Sequence, residues 1–93
     1  MKSNDIKSNE DLYQYICWLA QTLRARGQEA LADQLATASD FACGSPSEFL
    51  HEAGCALKDV ADLAGAKLSD AENGDVAAVS RLIEEAFKKV GGA

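Results

Sequence analysis

Apolar residues recur every three or four positions through four successive segments, and each segment runs out at a glycine: Gly27, Gly44, Gly65 and Gly91. That period belongs to helices with one buried face, and glycine most easily takes the left-handed conformation in which helices stop. Ala supplies 17 of the 93 residues, whereas Val, Ile and Thr together number nine. A chain so rich in Ala and so poor in β-branched residues disfavours a sheet. The pattern predicts an all-α fold, a small antiparallel four-helix bundle-like domain with short connections.

The boundaries follow from local chemistry. Residues 1–8 are polar and without period, which reads as a flexible N-terminal tail before a single helical domain over 9–93. Ser8 and Asp11 have the spacing of a capping box at the first helix, whose core stripe is Leu12, Ile16, Leu19 and Leu23, with Tyr15 at its edge. Leu31, Leu35, Ala38 and Ala42 form the second stripe. Ser45 as N-cap, Pro46 in the first turn and Glu48 to complete the box open the third helix, which runs to Ala64. Ser69 and Glu72 suggest a single capped turn that stops at Asn73-Gly74, before a last helix carrying Val76, Val79, Ile83, Phe87 and Val90. At about 1.5–3 kcal/mol each, bulky apolar residues in this number support one modest core.

Several function classes are excluded. The net charge of −6 and the absence of clustered Lys and Arg argue against a nucleic acid partner. No apolar run approaches the ~18 residues that span a bilayer, so no membrane partner is expected. Three cysteines (Cys17, Cys43, Cys55), an odd count, come without a basic start followed by a long apolar stretch, which suggests reduced thiols in a cytoplasmic setting. There is no Gly-rich phosphate loop and no nucleophile elbow, so neither enzyme activity nor a cofactor is expected. An EF-hand register with Gly74 at its sixth position puts Ala71 at the third, where calcium needs an oxygen donor. His51 and Cys55 are spaced to offer two zinc ligands from one helix, but nothing completes the site, and no metal is expected.

Two features point to binding another protein. Between Gly27 and Ser80 stand ten acidic residues and two basic ones, Lys58 and Lys67. At about 100° per residue, Glu48, Glu52, Asp59 and Asp62 gather opposite the core stripe of the third helix, with His51 and Cys55 among them. Such a face suits a basic partner protein, as in an immunity or antitoxin-like inhibitor, because charge complementarity speeds capture. The first helix also has more apolar surface than its stripe needs. Tyr13 and Trp18 lie on its flanks and are candidate contacts for a partner or for a homodimer through this helix.

His51, the one histidine, carries the alternative. The run His51-Glu52-Ala53-Gly54-Cys55-Ala56-Leu57-Lys58 resembles the acceptor helix of histidine phosphotransfer domains, which are small helical bundles with an exposed imidazole. The resemblance implies that His51 accepts a phosphoryl group. It covers part of one helix, and it departs from the family pattern: Lys is wanted three residues after the histidine and Gly four after, whereas Gly54 stands third, Cys55 fourth and Lys58 seventh. Acyl carrier proteins share the size and acidity, but Ser45-Pro46-Ser47-Glu48 lacks their Asp-Ser-Leu attachment element.

Overall fold

Ser8 caps the first helix as its spacing suggests. Its hydroxyl accepts the Asp11 N–H at 3.2 Å, while the Asp11 carboxylate reaches one residue further back, to the Lys7 N–H at 3.0 Å. The computed structural model describes residues 6–44 and 46–89, with α1 over Asn9–Ala25, α2 over Glu29–Asp40, α3 over Pro46–Leu63 and α4 over Asp70–Phe87. No strand occurs among the described residues. Ser45, Val90 and Gly91 lie outside them, as do residues 1–5 of the tail. Of the remaining tail residues, Ile6 packs against the core.

Gly27 closes α1 with φ of 81°. The Gln28 N–H donates to the Leu23 carbonyl at 2.8 Å and the Gly27 N–H to the Arg24 carbonyl at 3.2 Å, which satisfies carbonyls that a helix end leaves open. A side chain at this left-handed position costs about 1–2 kcal/mol. Gln28 then starts α2, so the two helices fold back as a tight pair. α2 ends at Asp40, and a 3₁₀ turn takes over at Phe41–Cys43. Three residues per turn rotate Ala42 off the α-helical stripe, and it is exposed rather than buried.

The last helix differs from its sequence reading. Ser69 and Glu72 cap not an isolated turn but α4 itself, which runs from Asp70 through Asn73-Gly74 without a break. Asn-Gly is a strong turn signal when its amide is free to fold back on its own backbone. Here the Asn73 Nδ2 instead donates to the Gly65 carbonyl at 2.9 Å and the Leu68 carbonyl at 3.4 Å. Those bonds tie α4 to the 3₁₀ turn Gly65–Lys67 that precedes it.

Neighbours in sequence pack side by side, α1 on α2, α2 on α3 and α3 on α4. The ring closes between the first and last helices. At one end the Arg26 guanidinium donates to both Glu72 oxygens, at 2.7 and 3.0 Å, and to the Lys67 carbonyl at 2.9 Å. At the other, Ile6 and Leu12 face Leu82 and Ile83. The helices therefore alternate in direction, up and down, as in an antiparallel bundle. A radius of gyration of 12.0 Å matches a compact chain of this length.

α1 contributes most to the interior, with Leu12, Tyr15, Ile16, Leu19 and Leu23 all buried. Tyr15 is a correction to its place at the stripe's edge: it is only 1% exposed. Burial pushes its phenol far up, and the carboxylates of Asp75 and Glu72 push it further, so the ring stays neutral.

Two measurements test this arrangement. No atom stands within 4 Å of a Cβ added at Gly74. Gly74→Ala should therefore raise stability by about 0.5–1 kcal/mol if the helix runs through this position. A lower denaturation midpoint would restore the turn. The second concerns Glu72, whose hydrogen bonds from Arg26 and from the Ser69 backbone hold its carboxyl at about 2, against an ordinary 4.5. A lowered folded-state value means stability that is present above 4.5 and lost as pH falls toward 2. The melting-temperature gap between wild type and Arg26→Gln should be full at neutral pH and close across that window. A gap undiminished in acid would mean that Arg26 acts through packing alone.

Candidate functional site

Acidic residues lie on the outer sides of both α3 and α2, and those of α2 turn toward α1, where Asp33 meets Arg24. Glu48, Glu52 and Asp62 of α3 are exposed, and so are Glu29, Asp33 and Asp40 of α2. Asp59 is half-buried and differs in role, since its carboxylate accepts the Gln34 Nε2 at 2.7 Å. The reason lies in its position: on the helical wheel Asp59 and Glu52 turn toward α2, and only Glu52 clears it. The bond ties α3 to the flank of α2 that carries Gln34, about 100° round from Asp33, and uses part of the capacity of Asp59. Asp33 pairs with Arg24 at 3.0 Å, but with side chains 51% and 70% exposed the pair contributes little. Glu48, Glu52 and Asp62 form no ion pair among the described residues.

The two aromatic candidates on α1 part company. Tyr13 is 39% exposed and lines a depression of ≈ 270 Å³ with Glu10, Ala42, Pro46 and Phe49. This depression sits where α1 meets the junction of α2 and α3, and Glu10 is the one carboxylate in its lining. Trp18 is half-buried, packs against the core and lies 5.9 Å from the Tyr15 ring, centroid to centroid. The two rings are about 140° apart around the helix and cannot form one patch. Leu63, 72% exposed, escaped the sequence reading; it follows Asp59 by one turn at the border of the same acidic surface. An apolar residue off the core stripe, among acids, was the available signal.

His51 and Cys55 are exposed and turn toward α4, and His51 also shares a depression with Glu48, Glu52 and Phe87 at the edge of the acidic face. They line a groove of ≈ 310 Å³ between α3 and α4, with Lys58, Ser80, Glu84 and Lys88 around it. The His51 Nε2 lies 3.9 Å from the Cys55 Sγ, and its ring is 6.2 Å from that of Phe87. Gly54 does not leave room for an approaching partner, as the phosphotransfer pattern implies for its small residue. A Cβ there would stand 3.3 Å from the Ile83 Cγ2, so the glycine serves the close approach of α3 to α4.

Among the described residues, no three or more His, Cys, Asp or Glu side chains come together as a metal site would need. Cys17, half-buried, and Cys55 are free thiols; the side chain of Cys43 lies outside those described. No helix among the described residues is long and apolar enough to cross a membrane. No protein-family model, curated protein or solved structure matches the chain.

Proposed function

We propose that this chain is a non-enzymatic protein-binding domain whose acidic surface captures a basic partner, in the manner of an immunity or antitoxin-like inhibitor. The observation that carries the reading is the grouping of Glu48, Glu52 and Asp62 on the outer side of α3, all exposed and without an ion pair among the described residues. The Tyr13 depression, with Glu10 in its wall, adds an apolar contact at Pro46 and Phe49, the start of the same helix. A partner's Lys or Arg can lay its stem over the Tyr13 ring while its charge meets carboxylate, a contact that combines apolar area with cation–π attraction. Glu48, Glu52 and Asp62 then act at longer range, raising the rate of encounter. A cytoplasmic setting belongs to the same reading. A homodimer through α1 has less surface to work with, since Trp18 lies against the core.

The test is kinetic. Partners captured at low salt by the immobilised chain are measured against wild type and against Glu48→Lys/Glu52→Lys, two exposed positions outside the core. Association with a basic partner should slow by about tenfold or more in the reversed variant at low salt, and the difference should shrink as salt is added. Association indifferent both to salt and to the reversal would reduce the acidic surface to a solubility device.

A second reading has its own observation. His51 is exposed, and Lys58 and Lys88 line the same groove, supplying cations that a phosphoryl acceptor needs nearby. In that reading the His51 imidazole attacks the phosphorus of an acyl phosphate and the carboxylate leaves. Incubation with acetyl phosphate should then add one acid-labile phosphoryl group to the intact mass, absent in His51→Gln. An unmodified mass would remove this alternative and leave the binding reading untouched.

A further inference from the structure

We infer that the groove between α3 and α4 is a binding site for a small organic anion with an apolar body, a medium-chain carboxylate being the simplest case. The inference depends neither on the acidic surface nor on phosphorylation of His51.

The composition of the groove is opposite to that of the molecule. The chain carries −6, and Lys58 is one of only two basic residues between Gly27 and Ser80. The fold brings Lys58 to one end of the groove and Lys88 to the other, while Arg81 stands with Lys58 in an adjoining depression. Counted from His51 to Lys58 along α3, the two ends are about 10 Å apart. None of these three cations forms an ion pair with a described residue. Within the groove lining Lys58 and Lys88 outnumber the one carboxylate, Glu84; Asp62 joins Arg81 in the adjoining depression, and Glu48 and Glu52 lie in another, beside His51 and Phe87. His51 adds an imidazole that can donate a hydrogen bond.

Between the cationic ends the lining is apolar. Leu50 and Ile83 belong to the core, and Phe87 packs against it, held beside the His51 ring. At Gly54 the two helices come close, with the Ile83 Cγ2 3.3 Å from where a Cβ would stand, so Ile83 floors the centre of the groove. A volume of ≈ 310 Å³ is at the lower end of the roughly 300–1,000 Å³ that small-molecule sites occupy. A carboxylate head at either cationic end would let its chain lie over this floor. Inside the groove a cationic head would meet one carboxylate, Glu84, between two lysines. The charge pattern therefore selects anion over cation, and the floor selects a ligand with a tail over a bare ion.

The experiment is an amide NMR titration of the full chain with octanoate, with octyltrimethylammonium as the same tail bearing the opposite charge, and acetate as the head without the tail. Octanoate should give saturable shifts centred on Gly54, Cys55, Ser80 and Phe87, and both controls should bind about tenfold more weakly or less. In Lys58→Glu/Lys88→Glu the preference should switch to octyltrimethylammonium, with helical circular dichroism unchanged because both side chains are exposed. Shifts that never saturate, shifts centred on another surface, or equal binding of the two charged tails to wild type would overturn the proposal. The wild-type comparison alone decides the matter if the double variant does not fold.

Discussion

The burial of α1 along its whole apolar arc is the constraint on which the other helices depend. Tyr15, Ile16, Leu19 and Leu23 are removed from water almost entirely, and no single neighbouring helix can cover an arc that wide. α2, α3 and α4 each give one apolar face to a shared interior, and what remains of each is free to be charged. Closing that ring requires α1 and α4, the elements furthest apart in sequence, to meet. Arg26 and Glu72 supply the join at one end. The same Glu72 oxygen that accepts from Arg26 also accepts the Ser69 N–H at 2.8 Å, so the cap of α4 and the closure of the bundle are one piece of chemistry.

Charge is sorted by this arrangement. α3 sits between α2 and α4 and presents a different character to each side. Toward α2 it carries Glu48, Glu52 and Asp59, the last bonded to Gln34 across the seam. Toward α4 it carries His51, Cys55 and Lys58, facing Lys88. The flank toward α2 is acidic, while the flank toward α4 sets two lysines around Glu84 and, past His51, adjoins Glu48 and Glu52.

Much of the architecture was legible because it is encoded at short range. The cap at Ser8 and the left-handed stop at Gly27 are contests between groups a few residues apart, and they came out as the spacing suggests. Gly44 instead follows a 3₁₀ turn after α2 ends at Asp40, with φ of −110°, and Gly65 opens another after α3 ends at Leu63. The α4 boundary departs too. Asn73-Gly74 has the local chemistry of a turn, but the Asn73 amide is drawn to the Gly65 and Leu68 carbonyls, and that competition is invisible when the residues are read as a dipeptide. Tyr15 was misplaced for a related reason: a phenol at the border of a helical stripe goes to water or to the core according to what stands beside it. Here the bundle encloses it.

The sequence by itself determined that there are four helices, most of the residues that line their inner stripes, and that the middle of the chain is acidic. Those properties repeat every few residues and need no knowledge of distant neighbours. Tertiary structure decided how the outer faces are divided. A helical wheel puts His51 and Asp59 on one polar surface of α3, yet the first borders a groove with α4 and the second hydrogen-bonds α2. The wheel states only that both point away from the core. Which neighbour each meets depends on the side from which α2 and α4 pack, and that is set by the whole bundle closing around α1.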